Sequence, residues 1–249
     1  MTELLEPSAT AGYQNWRHLV FLHWRVESEQ LQALLPSGLT VETFDGSAWL
    51  ALVPFAMERV RPWWSPPVPG ISWFLETNLR TYVRHDSGLS AVWFFSLDAN
   101  SHIAVTAART FWNLNYIHCR MQLDQQSGAG TMKFSGQRSR DASHMYSVEV
   151  ERRISNDSLA TAKAGSLEEF LLERYTLLTP SRRGGFHVGK VIHEPYQFSE
   201  PNEWECSQTY TTGLFGSSET ERPPDHVLYS PGVDVRVTPL QPVSKNKTA

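Results

Sequence analysis

The sequence predicts a mainly β chain of the α+β class, in which many short antiparallel strands are accompanied by few helices. Three observations carry that expectation. Runs of branched and aromatic residues recur between turn-forming dipeptides, and helical periodicity is confined to three short stretches. The 249 residues also include 9 Trp, 12 Phe and 8 Tyr, types that suit a pleated, half-buried surface. Periodicity alone leaves open whether the strands close into a barrel or stack as a sandwich. A hydrophobic content of 41% supplies one sizeable core, at about 25 cal/mol per Å² of apolar surface buried. Residues 13–240 are therefore expected to form a single domain, with 1–12 and 241–249 as mobile, solvated ends.

Ser28 opens a short helix in which Leu31, Leu34 and Leu35 stand at helical spacing, and Pro36 followed by Gly38 stops it. Residues 41–44, 49–55, 74–84 and 91–97 read as strands, with Asp45-Gly46 and Ser87-Gly88 as hairpin turns. Between the second and third of these, the prolines of 61–70 remove ladder donors, so this Trp-bearing segment is expected as a loop. Ser101 caps a second helix over 101–111, where Ile103, Ala104, Ala107, Ala108 and Phe111 share a face. A meander follows over 116–123, 131–137 and 145–152. The capping-box spacing Ser166-Leu167-Glu168-Glu169 opens a third helix through Leu172, and strands at 186–193 and 227–237 complete the sheet.

Composition excludes several classes of function. The formal charge is −4 and lysine is scarce, so there is no basic footprint for nucleic acid. No stretch has the roughly 20 apolar residues that span a bilayer, and no membrane partner is expected. Met1-Thr2-Glu3-Leu4-Leu5-Glu6-Pro7 is acidic and unlike a secretory leader, and Cys119 and Cys206 are too few for a disulfide framework. The expected address is cytoplasmic. His187 and His193 share a strand face and His23 and His118 lie in other strands, without the close spacing of metal ligands, so neither metal nor cofactor is expected. Ser96, Ser101 and His102 lack a nucleophile-elbow context, and His118 and Cys119 point to opposite strand faces.

The motifs with chemical content are His23-Trp24, Leu35-Pro36-x-Gly38-Leu39, Asp45-Gly46-x-Ala48-Trp49, Val53-Pro54-Phe55, Phe74-x-Glu76-x-Asn78-Leu79-Arg80-Thr81-Tyr82-Val83, Phe94-Phe95-Ser96-Leu97-Asp98 and Leu228-Tyr229-Ser230-Pro231. Together they resemble a YqjF-like bacterial family of unknown function within the acetoacetate decarboxylase-like superfamily. The resemblance implies a closed or nearly closed antiparallel β-barrel with a few peripheral helices, able to hold a small ligand. In the decarboxylases a lysine forms an imine with a β-keto acid. Counting without a gap from Trp112, the lysine position falls on Tyr116, and a phenol forms no imine.

The resemblance places Arg25 and Glu76 on the substrate side and Trp112 and Asn113 beside the ligand. Arg25 could grip a carboxylate or form an ion pair, and Glu76 could act as a general base or balance charge. Tyr116 could donate its hydroxyl to a bound carbonyl or serve as a core residue. Alternation puts Arg80 on the face of Glu76, to extend an anion site or to pair with that acid. Lys190 is the one lysine that could replace the missing amine. The leading expectation is binding of a small organic acid or ketone without Schiff-base decarboxylation. The alternatives are a lyase, isomerase or hydrolase acting on a keto acid or enol, and a non-catalytic homo-oligomer joined through Trp63, Trp64 and Trp73.

Overall fold

In the computed structural model of the protein, residues 10–125, 130–151, 159–215 and 222–243 are described, those at 111 and 112 by their backbone alone. The strands are β1 (Gly12–Val26), β2 (Leu39–Val41), β3 (Thr43–Phe44), β4 (Ser47–Pro62), β5 (Phe74–His85), β6 (Ser90–Ala99), β7 (Tyr116–Gln125), β8 (Thr131–Arg138), β9 (Met145–Glu151), β10 (Thr176–Pro180), β11 (Phe186–Ile192), β12 (Trp204–Gln208), β13 (His226–Val237) and β14 (Gln241–Pro242). The helices are α1 (Ser28–Ala33), α2 (His102–Trp112), α3 (Leu167–Leu172) and α4 (Thr212–Phe215). Pairing is antiparallel except where β6 meets β7 and β10. Of the ends expected to be mobile, Gly12 pairs with Val237 and Pro62, and β14 pairs with β11; residues 1–9 and 244–249 lie outside the described residues.

The pairings β1-β4-β5-β6-β10-β11-β13-β1 close on themselves, giving the ring that a barrel requires. Strands β1 and β4 lie next to each other in it and are buried on both faces, which explains the near-continuous apolar run through β4. Pro54 interrupts that run without breaking the sheet. It falls opposite the irregular stretch of β1 between Arg17 and Leu22, where His18 adopts a positive φ and no regular ladder asks for a proline N–H.

One face of the ring strands carries Phe21, Ala51, Val53 and Phe55, with Leu228 and Val191, around Leu172 of α3. On the same face, Trp49, Tyr82, Val92 and Leu177 surround Leu171. All seven ring strands thus converge on the last turn of α3, which reaches into the interior. The opposite face carries Leu22, Trp24, Leu50, Leu52 and Leu79, and packs on Met132, Phe134, Val148 and Val150 of the β7–β8–β9 meander. The molecule is therefore a ring with a second sheet laid against one flank.

Several elements differ from expectation. Strands β1, β10 and β12 were not delimited, because Gln14, Asn15, Arg17 and His18 break the alternation in β1 and the other two are short. Helix α2 buries Val105 and Ala108, whereas Ile103, expected inside, is 56% exposed. Alanines at 104, 107 and 108 give the helix a weak preferred face, and the branched Val105 decides its phase. The proline-rich loop after β4 is exposed and holds Trp63, Trp64 and Trp73 at the surface.

Candidate functional site

Glu76 stands near the start of β5 and Tyr116 opens β7, with β6 between them: Glu76 lies beside Ala99, and Tyr116 beside Leu97. The chain reaches β7 through the C-terminus of α2, where Asn113 takes a left-handed conformation at φ 50, a common helix stop for asparagine. The Asn113 amide donates to the Pro180 carbonyl at 2.7 Å, and Thr179 Oγ1 donates to the Asn113 carbonyl at 2.9 Å. Arg109 is exposed but donates through Nε to the Tyr116 carbonyl at 2.6 Å. These bonds fix where the phenol begins. Its hydroxyl donates to Glu76 Oε2 at 2.8 Å, in a buried setting formed by Phe74, Leu97, Ala99, Val105, Ala108 and Leu114.

Burial sets the charge of this pair. Glu76 is 3% exposed, and desolvation pushes its carboxyl up to about 8; the Tyr116 hydrogen bond partly opposes the rise and the charge of Asp98 adds to it. Burial, with Glu76 alongside, holds the Tyr116 phenol well above its ordinary value. At neutral pH the pair is mostly an uncharged acid beside an uncharged phenol. Such groups can donate to a carbonyl oxygen or exchange a proton with a ligand near pH 8.

Farther along β5, Asn78 and Arg80 point to the same side as Glu76. Arg80 is 7% exposed, and its Nη2 donates to the Leu171 carbonyl at 3.1 Å, which also accepts from the Tyr82 hydroxyl at 2.9 Å. Four residues at about 3.3 Å each separate Glu76 from Arg80 by roughly 13 Å. They form no ion pair.

The other expected site residues are placed elsewhere. Arg25 is exposed, its guanidinium 5.0 Å from the centroid of the Trp49 ring. It pairs in register with Trp49 whereas Glu76 pairs with Phe55, so about 20 Å of strand separates the two. The register of β1 thus keeps Arg25 away from Glu76 and Tyr116. Asn113 spends its amide on holding α2 to the strand end, and the side chain of Trp112 lies outside the described residues. Lys190 alternates with Gly189 and Val191 and shares the side of Val188, which packs in a cluster outside the ring.

A polar cluster on the opposite sheet face was missed. Arg138 donates to both oxygens of Asp98, at 2.7 and 3.1 Å, and to Ser96 Oγ at 2.7 Å, while the Tyr210 hydroxyl donates to Asp98 at 2.8 Å. These groups satisfy one another and tie the meander to β6; an acid ending the apolar run Phe94-Phe95-Ser96-Leu97 was the only hint. A cleft of about 550 Å³ opens nearby, lined in part by His118, Cys119, Gln137 and Tyr146. It is open to solvent, and burial pushes the Cys119 thiol up to about 11, so it lacks the paired, poised groups found at Glu76. Among the described residues, no group of three potential metal ligands occurs and no helix is long and apolar enough to cross a membrane.

A ring of this topology has a fold of the acetoacetate decarboxylase-like class. The protein is similar to an acetoacetate decarboxylase-like enzyme from Sphingomonas wittichii RW1, with a TM-score of 0.64 at 14% identity over 98% of this chain and 99% of that one. It is also similar to acetoacetate decarboxylase from Legionella pneumophila, with a TM-score of 0.59 at 12% identity over 100% and 93% of the two chains. The enduracididine biosynthesis enzyme MppR, solved with the condensation product of pyruvate and imidazole 4-carboxaldehyde, gives 0.58 at 12% identity over 95% and 90%. At such identities the likeness is one of fold. Within that class, residues 13–234 match DUF2071, a family of uncharacterized conserved proteins, and the chain belongs to it. It is 34% identical over 228 residues to the uncharacterized protein YqjF of Bacillus subtilis (strain 168), covering 92% of this chain and 90% of that protein.

Proposed function

We propose that the protein binds a small carboxylated or carbonyl-bearing metabolite inside the ring, against Glu76 and Tyr116, and does so without a Schiff base. The observation that carries this reading is the 2.8 Å bond from the Tyr116 hydroxyl to a buried Glu76, which leaves the protonated acid's own O–H to meet a ligand carbonyl in a desolvated setting. Imine chemistry needs an amine at that point. Lys133 is paired with Glu149 on the meander, Lys163 is exposed, and Lys190 points away from the interior. That MppR is solved with pyruvate and with a pyruvate-derived product supports a small keto acid as the kind of guest. A cytoplasmic setting, with no nucleic-acid partner, accords with free Cys119 and Cys206 and the net charge of −4.

The test is a thermal-shift screen of ketones and keto acids on the wild type and on Tyr116→Phe. A compound present at 100 times its Kd stabilises the folded state by about 2.7 kcal/mol, and Tyr116→Phe is expected to weaken binding of carbonyl compounds. Borohydride reduction in the presence of acetoacetate should leave the protein mass unchanged; a lysine adduct would refute the reading. A second reading, proton exchange at the carbon next to a carbonyl, draws on a Glu76 carboxyl that titrates near 8. It predicts deuterium incorporation into a bound ketone, abolished by Glu76→Gln.

A further inference from the structure

The interior of the ring holds a set of buried polar atoms that have no hydrogen-bond partner among the described residues: His23 Nε2, Trp49 Nε1, Asn78 Oδ1 and Arg80 Nε. Their side chains come from three neighbouring strands, and each is more than nine-tenths buried. Register brings them to one place. His23 pairs with Ala51, and Ala51 pairs with Arg80, so a methyl group lies between an imidazole and a guanidinium in a single cross-strand row. Trp49 stands one pleat to one side of that row and Asn78 one pleat to the other, on the same sheet face.

Among the described residues Arg80 makes no ion pair; its Nη2 donates to the Leu171 carbonyl, and the Tyr82 hydroxyl lies beside it. A buried cation without a counter-charge is costly and calls for an anion. The surrounding groups select which anion. The Arg80 Nε–H and Trp49 Nε1–H are donors, and the Asn78 amide can turn to offer its NH₂. His23 Nδ1 lies 3.3 Å from His226 Nδ1, so when His226 supplies the proton of that contact, His23 Nε2 carries a hydrogen as well. Phe21, stacked on His23 with Arg80 5.8 Å from its ring centroid, forms an apolar wall. Planar donors above a methyl floor suit a small carboxylate.

We propose that Arg80, with His23, Trp49 and Asn78 around the methyl of Ala51, is a carboxylate subsite, so that the guest of this ring is a carboxylic acid rather than a neutral ketone. This rests on the reading of Glu76 and Tyr116 as the place of the guest's other end, and it can fail separately from that reading.

The experiment measures melting temperature and isothermal titration with acetate, and with acetamide as the uncharged isostere, at constant ionic strength. Acetate is expected to raise the wild-type Tm and acetamide to leave it unchanged. Arg80→Met, which removes an unpaired buried cation, is expected to melt no lower than the wild type without acetate and to lose the acetate shift. If Arg80→Met does not fold, Arg80→Lys, which lacks the planar fork, must weaken acetate at least tenfold. No acetate shift in the wild type, an equal shift with acetamide, a shift retained in Arg80→Met, or unchanged affinity in Arg80→Lys would each overturn the subsite. Pyruvate binding no tighter than acetate, and unaffected by Tyr116→Phe, would instead count against the Glu76–Tyr116 reading and leave the subsite standing.

Discussion

Replacing Glu76 by glutamine should remove a pH dependence from the stability of the whole fold. The folded carboxyl titrates at about 8, against an ordinary value of 4.5. Between those values the unfolded chain has released the proton and the folded chain still holds it, so stability falls as pH rises through the window and levels off above it. Each pH unit of difference corresponds to about 1.4 kcal/mol, which makes the full loss on the order of 5 kcal/mol and the part reached at pH 7 about 3 kcal/mol. Glutamine keeps the acceptor for the Tyr116 hydroxyl and carries no proton to release. The assay is urea unfolding of both proteins from pH 4.5 to 9, read as the difference between them, in which Asp98, the histidines and other shared groups largely cancel. Wild-type stability should drop relative to Glu76→Gln across that range. A difference that stays flat would mean that Glu76 is hydrated or ionised in the folded protein, and the account of the site would fall with it.

Three further substitutions probe how the scaffold holds the site. Gly136→Ala would set a methyl 2.3 Å from Tyr146 Cε1, an overpacking expected to cost about 1–3 kcal/mol in urea unfolding and to disturb the 2.7 Å contact between the Tyr146 and Thr77 hydroxyls. Arg138→Met leaves Asp98, which is fully buried, with only the Tyr210 hydroxyl and should destabilise by about 3–5 kcal/mol; Arg138→Met combined with Asp98→Asn should recover part of that loss. Ser101→Ala removes the bond that caps α2, from Ala104 N at 3.2 Å. Its expected cost is about 1 kcal/mol by chemical denaturation.

Much of the site was readable because it depends on local spacing. Tyr116 follows from an ungapped count from Trp112, whereas its meeting with Glu76 depends on the parallel pairing of β6 with β7, which no local spacing encodes. Alternation placed Arg80 on the face of Glu76, and the caps at Ser101 and Ser166 are local signals that the structure repeats. Arg25 shows where such reasoning ends. Its motif spacing matched, but what it meets depends on the register of β1 against β4, and a break in that ladder between Arg17 and Leu22 has no sequence signature. The row His226–His23–Ala51–Arg80 is invisible for the same reason. It joins four strands, β13, β1, β4 and β5, and exists only because the ring closes β13 onto β1.

A phenol in place of an amine also changes the charge that a guest meets. With Glu76 uncharged below about pH 8, Arg80 is the buried cation of this face; burial holds His23 well below its ordinary value and pushes Tyr82 and Tyr196 up, with Arg174 near Tyr82 and Glu173 near Tyr196 as bordering charges, while Asp98 lies on the other face. Above pH 8 Glu76 ionises, roughly 13 Å along the strand from Arg80. At an effective dielectric of about 20 that new charge opposes a carboxylate by about 1 kcal/mol, a five- to tenfold loss. Acetate affinity should therefore hold from pH 6 to 7.5, fall by about that factor by pH 9.5, and stay level over the same range in Glu76→Gln. Equal losses in both proteins would assign the change to another group, and no loss in the wild type would separate Arg80 from Glu76 electrostatically.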